Sequence, residues 1–102
     1  MSKEIVIGVD NVRYKDKQSG EMIDALNLHT VKKNLKTVGV CTATIWIDSF
    51  KLPQAYEMFV NYSKGDISRL LNLQIDVSRG DRGFLENLEI LGVKESAALF
   101  DL

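Results

Sequence analysis

The chain has 102 residues, 45% of them hydrophobic and 26% charged, with 13 lysines and arginines against 14 aspartates and glutamates. That size and balance describe one folded domain with an ordinary core, and they argue against disorder. The formal net charge of −1 excludes bulk attraction to nucleic acid or membrane, so only a local basic patch serves either purpose. The single cysteine, Cys41, excludes an internal disulfide framework. No apolar run is long enough to span a bilayer, and Met1-Ser2-Lys3-Glu4 lacks a signal-peptide pattern. The simplest expectation is a soluble, cytoplasmic chain with no membrane association.

Glu4 to Tyr14 reads as the first strand. Ile5, Ile7 and Val9 alternate with Val6, Gly8 and Asp10, and then the apolar phase slips to Val12 and Tyr14. A one-residue slip in a period-two pattern predicts a β-bulge or a strand that bends between two parts of a sheet, and Gly8 eases such a bend. Lys15 to Gly20 is a polar hairpin turn. Glu21 to Val31 is the second strand, with Met22, Leu26 and Leu28 on one face and Ile23, Ala25, Asn27, His29 and Val31 on the other. A basic connection, Lys32 to Lys36, follows.

Thr37 to Asp48 is the central strand. Gly39, Cys41, Ala43, Ile45 and Ile47 form a small, aliphatic face suited to a core. Val38, Val40, Thr42, Thr44 and Trp46 form a β-branched face that carries one large ring. Pro53 opens a short amphipathic helix to about Tyr62, with Ala55, Met58, Phe59 and Tyr62 at helical spacing. Tyr56, Phe59 and Tyr62 on or near that stripe read as core packing, not as a ligand site. Ile67 to Leu70 is either a helical turn capped by Asp66 or the approach to the next strand. Leu71, Leu73, Ile75 and Val77 alternate with Asn72, Gln74, Asp76 and Ser78 in a half-exposed antiparallel strand. Arg79-Gly80-Asp81-Arg82-Gly83 is a turn, Phe84 to Leu91 is the last strand, and Gly92 ends it. Domain 1–92 is followed by a tail, 93–102.

The order strand, strand, strand, helix, strand, strand predicts a mainly β fold, a five-stranded OB-like Greek-key barrel with one helix between strands 3 and 4. An α+β sheet with the helix on one face and an SH3-like barrel are the rival architectures.

Few residues carry catalytic chemistry. His29 is the only histidine. Without further histidines, cysteines or spaced carboxylates, a metal site is not expected, and neither is a Cys–His nucleophile. No glycine-rich phosphate loop precedes the helix. The chain reads as a non-enzyme without cofactors. Arg79-Gly80-Asp81 matches a cell-adhesion tripeptide, but turn chemistry explains it.

The cations sit where an OB-fold contacts its ligands: Lys15 and Lys17 in the first hairpin, Lys32, Lys33 and Lys36 between strands 2 and 3, Arg79 and Arg82 in the last turn. Tyr14 and Trp46 are candidate rings for base stacking, with Phe84 a third. Loop lysines also simply keep a protein soluble. Tryptophan is highly buried on average, which favours core or partial burial of Trp46 over an exposed ring.

Leu71 to Leu91, an alternating strand, the Arg-Gly-Asp-Arg-Gly-Phe turn and the Phe-Leu-Glu-Asn-Leu-Glu-Ile-Leu strand, resembles the small phage-type single-stranded DNA-binding proteins with OB-folds. The first half matches them by strand order alone. The resemblance implies a homodimeric or larger protein that coats single strands with little sequence preference, in the replication or recombination of a phage or mobile element. The apolar, acidic segment Leu99-Phe100-Asp101-Leu102 then suggests a replication partner. The rival expectation is an interaction or assembly module that pairs with another protein through a barrel face or a sheet edge.

Overall fold

In β1 (Ser2–Lys15), the apolar phase slip has a physical counterpart. β1 pairs antiparallel with β2 (Met22–Lys32), and the register shifts between Val6 and Gly8, so that Ile7 is the extra residue. The bulge therefore falls earlier than the apolar pattern suggests. It turns Val6 into the core and leaves Ile7 exposed, although Ile5 and Ile7 share a phase in the sequence. Gly8 lies against the His29 ring, where an added Cβ would meet ring carbon at 3.4 Å.

The computed structural model describes residues 2–32, 36, 38, 41–80 and 85–93. Three further strands and a helix complete the fold: β3 (Cys41–Asp48), α1 (Pro53–Ser63), β4 (Leu73–Arg79) and β5 (Leu85–Val93). All pairings are antiparallel, in a single five-stranded sheet of order β3-β2-β1-β4-β5. The first residues of β1, Ser2 to Ile5, pair with β4, whereas Ile5 to Lys15 run beside β2. The strand thus passes from one half of the sheet to the other. Side chains from both edge strands join one core: Ile45 and Ile47 of β3, and Leu85, Leu88 and Ile90 of β5. Among the described residues no ladder joins β3 to β5, so the sheet curls around its core and stays open along that seam. The expected mainly β fold with five strands and one helix is present, without a closed barrel.

α1 lies between β3 and β4 and places Phe59 in the centre of the core with Leu26, Leu28, Ile47, Leu70 and Ile75. Each such side chain contributes roughly 1.5–3 kcal/mol by leaving water. Pro53 opens the helix and Lys64, with φ 52°, closes it in a left-handed cap. Ile67–Leu70 resolves as a 3-10 turn capped by Asp66, whose carboxylate accepts the Ser68 amide at 3.1 Å.

Several sequence expectations shift. Met22 is exposed rather than core-facing, while Ile23 and Ala25 on the opposite face are buried. Leu71 precedes β4 and is exposed, because Asn72 adopts φ 63° and breaks the alternation. Gly92 does not end β5; the strand continues to Val93 through a bulge in which Leu91 is the extra residue and Gly92 takes φ 135°. His29 pairs in register with Thr44, three residues from Cys41 and on the other face of β3, so the two do not meet. The start of the predicted third strand falls partly, and Lys33, Arg82, Phe84 and the tail from residue 94 wholly, outside the described residues.

Candidate functional site

The cross-strand register assembles a row on the outer face of β1, β2 and β3: Asn27 pairs with Asp10 on one side and Trp46 on the other, and Val12, Ala25 and Asp48 form the next rung. Period-two alternation puts Trp46 and Asp48 on this face and Ile45 and Ile47 on the core face. Trp46 is 45% exposed. It is therefore not a core residue, although its type favours burial. Tyr14, one rung further along β1, leans across to it, with ring centroids 6.0 Å apart and planes tilted by 48°. This is a tilted aromatic contact that fixes both rings.

Asp48 ties the pair down. Tyr14 donates its phenolic hydrogen to Asp48 Oδ2. The Asp48 Oδ1 atom accepts the backbone amides of Phe50 at 2.7 Å and Lys51 at 3.1 Å. Burial opposes ionisation of this carboxyl, but the hydrogen bonds from Tyr14, Phe50, Lys51 and Trp46 outweigh it and hold Asp48 below the usual carboxylate range. Reciprocally, the Tyr14 phenol is pushed up to about 12, first by its hydrogen bond to Asp48, then by loss of solvent and the fields of Asp48 and Asp16. Asp48 also sets the turn that follows β3, which presents Phe50 at 68% exposure and Lys51 beside it.

A groove of about 480 Å³ opens beside Trp46 along the seam between β3 and β5. Ile45, Leu52 and Leu85 supply its apolar lining, and Thr44, Asp48, Lys51 and Arg79 its polar lining. Such a groove offers one exposed ring, aliphatic walls and the Lys51 ammonium at its mouth, while Asp48 is engaged by Tyr14 and the turn amides; that suits a flat aromatic ligand with a phosphate near Lys51.

The sequence-predicted residues divide. Tyr14, Trp46 and Arg79 gather at or beside the groove. Lys15 and Lys17 are exposed in the β1–β2 turn, the turn whose Asp16 feels the charge of Lys51. Lys32 lies at the far end of β2, paired with Cys41, and Lys36 beyond it is exposed. These two are therefore remote from Trp46 along the strands. Arg79 is committed in a way the sequence did not disclose. Its guanidinium forms a two-pronged ion pair with Glu4, through Nη1 to Oε2 and through Nη2 to Oε1 at 3.1 Å. Glu4 is 0% exposed and also accepts the Thr30 hydroxyl at 2.6 Å. Arg79 lines the groove, but its charge is balanced within the fold. Lys51 and Phe50 escaped the sequence reading; Asp48, two residues after Trp46 and hence on its face, was the available signal for the turn that carries them.

On the same face, His29 Nε2 lies 2.7 Å from Asp10 Oδ2, and that contact holds the Asp10 carboxyl below its ordinary range. No group of three or more metal-ligating side chains occurs among the described residues. No helix among them is long and apolar enough to cross a membrane. Comparison with protein-family models, with curated proteins and with solved structures finds no match to this chain.

Proposed function

We propose that the chain binds single-stranded nucleic acid, DNA in the first instance, without catalysing a reaction. The observation that carries the reading is the Tyr14–Trp46 pair, fixed by Asp48 and exposed beside a groove with Lys51 on its rim. A ring held in place loses little entropy on stacking with a base, and each stacked base is worth roughly 1–3 kcal/mol. Lys51, with Lys15 and Lys17 in the β1–β2 turn, supplies phosphate contacts. The fold supports the same reading. The order β3-β2-β1-β4-β5, with α1 between β3 and β4, suits an OB-like Greek-key barrel left open at the β3–β5 seam. In such a barrel the outer face of β2 and β3 and the first and last hairpin loops meet the nucleic acid. The homodimer and the role in phage-type replication belong to this proposal as implications of the resemblance.

A second reading keeps a specific observation in its favour. The outer edge of β3 has no strand partner among the described residues, and a free edge is a template for pairing with another protein chain. Titration of Trp46 fluorescence with oligothymidine at two salt concentrations separates the two. Quenching that weakens with salt supports stacking plus phosphate contact. Absence of binding at low salt removes the nucleic-acid reading and leaves edge pairing.

A further inference from the structure

The exposed large apolar residues are not all near Trp46. A second groove, about 950 Å³, lies between α1, the 3-10 turn and β5. Met58 and Tyr62 of α1, Leu71 and Ile90 give it an apolar floor. Ile67 and Leu91, chain neighbours of its lining, are exposed as well, Leu91 at 45% because the β5 bulge turns it outward. The floor is rigid. Leu70 is fully buried beneath the turn, and the Asn72 amide donates to the Val6 carbonyl at 2.8 Å, which fixes Leu71 between two anchored residues.

The charges at this groove have one sign. Lys64 and Arg69 line it, and among the described residues no carboxylate does. Asp66, the nearest acid in the chain, accepts the Ser68 amide and, at 2.7 Å, the Ser68 hydroxyl; it feels the charge of Arg69 but does not line the groove. Elsewhere arginines face carboxylates, Arg79 with Glu4 within the fold and Arg13 with Asp24 at 3.4 Å on the surface. A rigid apolar floor between two cations, in a chain of net charge −1, calls for a ligand with apolar side chains and carboxylates together.

We propose that this groove docks a short acidic peptide segment of a partner protein, with leucine-like or aromatic side chains on the floor and carboxylates against Lys64 and Arg69. A stretch of a few residues fits the volume, and the pre-formed floor lowers the ordering cost of binding. The proposal is independent of the nucleic-acid reading, since it uses none of the residues around Trp46.

The test is a random-peptide display selection on the full chain, repeated on the double variant Lys64→Glu, Arg69→Glu and on Leu71→Ala. All three residues are exposed, so the variants keep the fold, which circular dichroism verifies. Enriched peptides are expected to carry net negative charge and at least a pair of large apolar residues, to lose about tenfold or more in affinity on charge reversal, and to weaken on Leu71→Ala. Enriched peptides that lack acids, equal binding to the charge-reversed variant, or no enrichment at all would overturn the proposal. Self-association in sedimentation that Leu71→Asp abolishes would also overturn it and assign the groove to a second copy of the chain.

Discussion

Replacing Arg79 with methionine removes the two-pronged cationic partner of a carboxylate that water cannot reach. Glu4 is 0% exposed, while the Arg79 side chain is 23% exposed. The Thr30 hydroxyl and the field of Lys32 still act on Glu4 in the variant. An ionised carboxylate left in that position costs about 3–5 kcal/mol, a large share of the roughly 5–15 kcal/mol that holds a domain together. The sign with pH is distinctive. In the wild type, burial raises the Glu4 pKa, but the hydrogen bonds from Arg79 and Thr30 and the charges of Arg79 and Lys32 bring it below its ordinary value. Its contribution is therefore present above the unfolded pKa of about 4.3 and is lost as pH falls through the folded value. In Arg79→Met, burial dominates, the carboxyl takes up a proton more readily, and the penalty shrinks as pH falls from neutral toward 4. The double variant Glu4→Met, Arg79→Met removes both charges and is expected within about 1 kcal/mol of wild type, because an apolar pair of similar volume substitutes well for a buried ion pair. Urea unfolding of the wild type, both single variants and the double variant at several pH values, followed by Trp46 fluorescence, reads all of this. A cost below about 1 kcal/mol for Arg79→Met at neutral pH, with no pH dependence, is the behaviour of a solvated surface pair and would refute the reasoning.

Three further expectations follow from the same geometry. Trp46→Ala should weaken oligothymidine binding by roughly 5- to 150-fold, the equivalent of one lost stacking contact, read by fluorescence anisotropy of a labelled oligonucleotide; unchanged affinity would remove Trp46 from the interface. Tyr14 should ionise near 12 in a spectrophotometric titration differenced against Tyr14→Phe, and Asp48→Asn should return it toward 10. Because its folded pKa is raised, the Tyr14–Asp48 bond contributes fully below about 10 and is lost as pH rises through about 12. Phe59→Ala should cost about 3–5 kcal/mol in thermal or urea unfolding, since Phe59 is fully buried at the centre of the core, and a loss under 1 kcal/mol would contradict that placement.

The parts of this molecule that were legible in advance are those governed by neighbours in sequence. Alternation in β3 sorted Ile45 and Ile47 from Trp46 because a strand has no other way to arrange consecutive side chains. Proline and helical spacing marked α1, and the phase slip in β1 announced a bulge although not its residue. The Glu4–Arg79 pair spans 75 residues and left no local trace. A charged residue inside a strand pattern reads the same whether it meets water or a buried partner. The site was half legible for a related reason. Tyr14 and Trp46 follow from strand faces, but the turn that offers Phe50 and Lys51 depends on which backbone amides Asp48 receives. Leu71 and Gly92 were misplaced because a left-handed Asn72 and a bulge at Leu91 preserve composition while they change phase.

The two edges of the sheet differ in a way that bears on assembly. β5 carries two extra residues against β4, one at Glu86 and one at Leu91, whereas β3 runs against β2 without interruption. A regular backbone ladder can extend from β3 but is broken twice along β5. Indefinite stacking of copies needs two compatible edges per molecule, one to give and one to receive. Of these two edges only β3 is regular, and pairing β3 with β3 gives an isologous two-fold arrangement that terminates after one pairing. The irregular strand therefore works against fibre growth that would join the β5 edge of one copy to the β3 edge of the next.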